Sequence, residues 1–107
     1  MKSISAGELE RRLDSGAAPF VLDVREPEEL VDDGFIAGSV NIPMDEFDRR
    51  LEEIPNDREI VVYCHGGSRS AMVAGYLEHH GFASVANLSG GIEAWSVDVD
   101  PKVPRYR

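Results

Sequence analysis

The chain has 107 residues, 42% of them hydrophobic, and carries 11 Lys and Arg against 20 Asp and Glu, a formal net charge of −9 at pH 7. That length supplies one packed core and leaves little room for a second domain. The acidic balance argues against a general nucleic-acid binder, which needs clustered Lys and Arg, and against docking on an anionic lipid surface.

Lys2–Ile4 reads as a short edge strand. Ser5 caps a helix running to Leu13; Glu8 completes a capping box, and Leu9 and Leu13 share a face at i, i+4. Phe20-Val21-Leu22-Asp23-Val24 is a nearly continuous apolar run of the kind that forms a buried parallel strand. Pro27, among acids, suits the first turn of a helix. Ser39–Pro43 predicts a short strand, and Asp45–Ile54 an amphipathic helix with Phe47, Leu51 and Ile54 on one side. Glu59–Cys64, β-branched and aromatic, carries the strongest strand signal. A small-residue loop follows, and then a largely buried helix over Arg69–His80 stopped by Gly81. Ser84–Leu88 is a further strand. Gly90-Gly91 opens a last short helix, Ile92–Trp95, and the tail is expected to be extended. Strands alternating with helices predict an α/β fold: a central, mostly parallel five-stranded sheet with helices on both faces. The expected organisation is one domain over residues 1–107, with its core at about 4–96 and an extended tail over 97–107.

The single cysteine, Cys64, excludes an internal disulfide framework and makes the cytoplasm the default compartment. Cys64-His65 and His79-His80 lack the spacing of a zinc finger, so no metal site is expected. No apolar run approaches the ~20 residues of a membrane span. The start, polar and acidic at once, does not read as a signal peptide.

The chemistry points to Cys64. It closes the best strand, where open parallel sheets bind their ligands. His65-Gly66-Gly67-Ser68 can turn backbone N–H groups inward as an anion-binding nest. The following helix adds its positive end, and Arg69 a full charge; together they favour thiolate over thiol. Ser68 and Ser70 offer hydroxyl donors. A bland alternative makes Cys64 a buried small hydrophobe. Asp23 and Arg25, at a neighbouring strand end, either support the catalytic loop or form a structural ion pair. His65 either tunes the site or is a solvated loop residue.

The stretch Val62-Tyr63-Cys64-His65-Gly66-Gly67-Ser68-Arg69-Ser70-Ala71 resembles the active-site loop of the rhodanese family of sulfurtransferases. Leu22–Glu26 resembles that family's DVRE signature, Gly34–Pro43 its GHI stretch, and Leu88–Trp95 its closing motif, all in the family order. The resemblance implies a two-step reaction in which Cys64 takes a sulfane sulfur from a small donor, such as thiosulfate or a persulfide, and passes it to a nucleophilic acceptor. Residues 65 to 70 would bind the persulfide, with no cofactor or metal. Cysteine phosphatases place their arginine one position further on, at Ser70 here, so their pattern fails. His65 stands where the family often has arginine, Gly66 where thiosulfate users sometimes have a cation, and Phe35 where a histidine is common; thiosulfate is therefore expected to be a poor donor. The tail Val99–Tyr106 resembles rhodanese domains fused to adenylating enzymes that activate sulfur-carrier proteins, which implies such a protein as a partner. The alternative from another class is a non-catalytic binding module of the same fold.

Overall fold

A computed structural model describes residues 2–101. Five strands, β1 (Lys2–Ile4), β2 (Phe20–Asp23), β3 (Val40–Asn41), β4 (Ile60–Tyr63) and β5 (Val85–Leu88), form one sheet in the order β1-β5-β4-β2-β3. Every strand pairing is parallel. Three helices lie between strands, α1 (Ala6–Asp14), α2 (Pro27–Asp33) and α3 (Ser68–His79), and a fourth, α4 (Gly91–Asp98), follows β5. Because the strands are parallel, every strand-to-helix loop leaves from the same edge. β2 and β4 lie side by side in register from Phe20–Ile60 to Asp23–Tyr63, so the loops after them start as neighbours.

Alternation along β4 divides the core. Val61 and Tyr63 point to one side, with Ala6 and Leu9 of α1 and Ile92 and Trp95 of α4. Ile60, Val62 and Cys64 point to the other, with Val73, Ala74 and Leu77 of α3 and with Phe47 and Ile54. Helices therefore cover both faces, as the alternating pattern requires. No helix among the described residues is long and apolar enough to cross a membrane.

Ser5 caps α1 as expected, accepting from the Glu8 N–H at 3.1 Å. Glu8 also gives its carboxylate to Arg12, at 3.1 Å.

The predicted helix over Asp45–Ile54 does not form. In its place are two 3₁₀ turns, Phe47–Arg49 and Leu51–Glu53, separated by Arg50 at φ −120° and ψ 22°. Ile54 precedes Pro55, which disfavours the helical region there, and Ile54 is extended at φ −100° and ψ 119°. So short a segment depends on packing for its shape: Phe47 meets Tyr76 of α3 edge-to-face at 4.8 Å, and Ile54 is buried in the core. The last helix is longer than the sequence suggests. It continues past Trp95 to Asp98, so Val97 and Asp98 are helical rather than part of an extended tail. The Trp95 carbonyl takes N–H bonds from Val99 and Asp100, each at 2.9 Å. The rest of the expected tail, 102–107, lies outside the described residues.

Asp23 and Arg25 are both fully buried at the end of β2. Arg25 Nε donates to Asp23 Oδ1 at 3.0 Å and Nη2 to Oδ2 at 2.8 Å. Nη2 also reaches the Gly34 carbonyl at 2.8 Å, and the Asn41 side-chain amide donates to both residues' carbonyls. The guanidinium lies 5.5 Å from the centre of the Tyr63 ring. A charge removed from water is tolerated here because its partner and carbonyls replace the hydration. Replacing Arg25 with Met strands the Asp23 carboxylate. The expected loss is about 3–5 kcal/mol of stability, read as a lower urea midpoint; an unchanged midpoint would show that Asp23 is solvated by other means.

Candidate functional site

Cys64 follows the last residue of β4, and its side chain is 1% exposed. Its sulfur is ringed by donors. The Gly67 N–H lies 3.1 Å from Sγ, the Ser70 N–H 3.4 Å and the Ser70 hydroxyl 3.4 Å. This convergence follows from the loop's path. Gly67 adopts φ +116°, a left-handed conformation that side chains resist, and so turns the chain back over the sulfur into the first turn of α3. The first N–H groups of a helix have no partner within it and point at the sulfur.

Burial alone pushes the thiol up. The Ser70 hydroxyl and the backbone N–H groups of Ser70, Gly67 and Arg69 outweigh it, so the thiol lies below the ordinary cysteine value.

The sequence assigns the Arg69 charge a share of this effect. The structure sends the Arg69 side chain to α2 instead, where its two terminal nitrogens meet Glu29 at 2.9 and 3.0 Å. Arg69 serves the sulfur through its backbone N–H. His65 faces Glu93 of α4, Nε2 to Oε2 at 3.4 Å. Gly66 and Ser68 sit exposed on the rim of the loop. Asp23 and Arg25 are not at the sulfur: they form the buried pair beneath the neighbouring loop.

Two contributors escape a reading of the sequence. Asn87 of β5 clamps the loop. Its amide donates to the Gly67 carbonyl at 3.2 Å and its oxygen accepts from the Ser70 hydroxyl. That hydroxyl also lies 3.1 Å from the Gly67 carbonyl, so one proton serves the amide oxygen, the carbonyl or the sulfur. Nothing in the sequence marks Asn87 apart from its place in a strand. Gly91 is the second. The Cys64 carbonyl takes the Ile92 N–H at 2.9 Å, and the His65 carbonyl the Glu93 N–H at 3.3 Å. At φ +58°, a Cβ on Gly91 would stand 2.3 Å from the His65 oxygen and 2.4 Å from the Cys64 oxygen. The Gly-Gly pair, visible in the sequence as a helix opener, permits this backbone contact.

A groove of about 340 Å³, lined by Met44, Asp45, Phe47, Asp48, Met72, Val73 and Tyr76, opens beside α3, and Cys64 is not among its lining residues. Among the described residues, no group of three or more His, Cys, Asp or Glu is placed to hold a metal ion.

The family model for the rhodanese-like domain matches residues 5–98. A sulfurtransferase of Allochromatium vinosum is 36% identical over 96 residues, covering 90% of this chain and 89% of that protein. The putative sulfurtransferase YtwF of Bacillus subtilis is 36% identical over 102 residues, with 95% and 97% covered. The probable adenylyltransferase/sulfurtransferase MoeZ of Mycobacterium tuberculosis is 36% identical over 97% of this chain, which spans 27% of that longer protein. Among solved structures, a rhodanese-related protein from Thermoplasma volcanium superposes with a TM-score of 0.83 at 34% identity, covering 92% of this chain and 94% of its own.

The hydrogen bonds to Sγ give a pH signature. A lowered thiol value keeps the nucleophile ionised to lower pH, so iodoacetamide alkylation of Cys64 is expected to reach its plateau early. The rate falls as pH drops through a midpoint below the ~8.5 of free cysteine. Replacing Ser70 with Ala removes one donor and should move that midpoint upward. A wild-type midpoint at or above the free value, or no shift in the variant, would refute the assignment.

Proposed function

The chain belongs to the rhodanese-like domain family, and from that membership we propose that it is a sulfurtransferase working through a persulfide on Cys64. The observation that carries this reading is the ring of backbone N–H groups and the Ser70 hydroxyl around a buried Sγ. Such a ring solvates an anion on sulfur without formal charge and without displacement of water, the logic of an oxyanion hole. The names of close relatives, sulfurtransferases of comparable length, support it.

In the first step the Cys64 thiolate attacks the sulfane sulfur of the donor. The new S–S bond forms as the donor's own bond breaks, and the leaving group, sulfite or a thiolate, departs with the electron pair. In the second step an acceptor nucleophile attacks the outer sulfur and takes it, and Cys64 returns as thiolate. No net oxidation of the protein occurs. The donors at residues 65 to 70 hold the sulfur anion in both states. Asp23 and Arg25 act at a distance, by fixing the end of β2 against which the loop is built.

A relay role is a second reading, favoured by one finding. This chain matches a part of MoeZ, whose name joins adenylyltransferase and sulfurtransferase. An adenylating enzyme and a sulfur-carrier protein are therefore proposed as partners, the carrier being the acceptor.

Intact mass after exposure to thiosulfate, and separately to an alkyl persulfide, tests the reading. The expected result is a gain of one sulfur, absent in Cys64→Ala and removed by cyanide. No gain from either donor by the folded, reduced protein would overturn it and leave a binding module.

A further inference from the structure

Glu29 takes no part in the sulfur chemistry just described, yet it grips the arginine of the catalytic loop with both oxygens. Arg69 Nη1 lies 2.9 Å from Oε2 and Nη2 3.0 Å from Oε1. This is the two-pronged geometry in which a guanidinium receives sulfonate, sulfate or phosphate oxygens. The pair is open to solvent, its side chains 35% and 24% exposed, so an arriving oxyanion meets the same two nitrogens.

Glu29 is held in place from its own side as well: Oε2 accepts the Glu26 N–H at the start of α2, at 2.9 Å. The Arg69 hydrogen bonds keep its carboxyl below the usual carboxylate range, so it is charged at neutral pH. Further acids stand close by. Loss of hydration and the charges of Asp45, Glu28, Glu29 and Glu46 push the Glu26 carboxyl up.

We propose that Glu29 is a built-in counter-anion that occupies the oxyanion fork of Arg69 and so selects, at Cys64, for sulfur donors without an oxyanion group. The inference rests on the sulfurtransferase reading. It assigns donor choice to a residue of α2, outside the catalytic loop. Thiosulfate carries a sulfonate-like group that must compete with Glu29; an alkyl persulfide carries none and is indifferent to it.

The test compares kcat/KM for thiosulfate and for an alkyl persulfide in wild type, Glu29→Gln and Glu29→Asp. The amide of Gln keeps the size and can still bond Arg69, but lacks the charge. Glu29→Gln is expected to raise the thiosulfate-to-persulfide ratio about tenfold, through KM, with the gain shrinking as salt is added. Glu29→Asp keeps the charge and should leave the ratio near that of wild type. An unchanged ratio in Glu29→Gln, or an equal rise in both variants, would overturn the proposal.

A second measurement needs no sulfur transfer: sulfate binding, read as protection of Cys64 from iodoacetamide. It should tighten about tenfold in Glu29→Gln, and no tightening would overturn the proposal. If neither donor delivers sulfur to wild type while sulfate binding still tightens, the sulfurtransferase reading fails and the counter-anion stands.

Discussion

A sulfur anion at the buried end of a strand needs something in place of water, and most of this structure can be understood as the means of supplying it. The replacement is a set of N–H dipoles from the loop and first turn of α3, completed by the Ser70 hydroxyl. Dipoles fixed by the backbone do not reorganise when the charge appears, which is why such an arrangement suits a site whose charge comes and goes. The requirement passes outward from there. The loop must curl, which needs the left-handed Gly67. Asn87 must tie that curl to β5. The carbonyls of Cys64 and His65, turned away from the sulfur, must find donors of their own at the start of α4.

That last demand explains the coupling between two distant parts of the chain. Gly91 brings the backbone of α4 against the Cys64 loop at a distance no side chain would allow. The family's closing motif is thus part of the site: it holds the far side of the loop whose near side holds the sulfur. On the opposite flank, the Asp23–Arg25 pair anchors the end of β2, the strand in register with β4. A buried ion pair of this kind adds little net stability compared with apolar packing, but its loss is costly, so it specifies one arrangement of the strand end.

The formal charges follow a different logic from the dipoles. Arg69 donates its backbone N–H to the sulfur side and its guanidinium to Glu29, while His65 looks to Glu93. Arg69 and His65 of the loop each face a carboxylate. The site therefore favours an anion on sulfur at short range, while Glu28, Glu29, Asp45 and Glu46 gather their negative charge around Glu26 at the start of α2. A short-range dipole cradle and a longer-range acidic field act on different things: the first on the protein's own sulfur, the second on what arrives from solution.

The α/β architecture was legible in the sequence because its signals are local. The β-branched run at Ile60–Tyr63, the Ser5 cap and the glycine after α3 each depend on neighbours within a few residues. Cys64 and its loop were legible for the same reason, since the nest is built by consecutive residues. The segment 45–54 misled because its apolar spacing fits a helix, while Pro55 and the packing of Phe47 on Tyr76 decide otherwise. The sequence by itself determined where the single cysteine sits, at the end of β4, and which backbone surrounds its sulfur. Only the tertiary structure decided where the Arg69 charge goes, that Asn87 clamps the loop, and that Gly91 must lack a side chain. Those outcomes depend on β5, α2 and α4 converging at one edge of the sheet, and no local pattern encodes which residues meet when far-apart segments do.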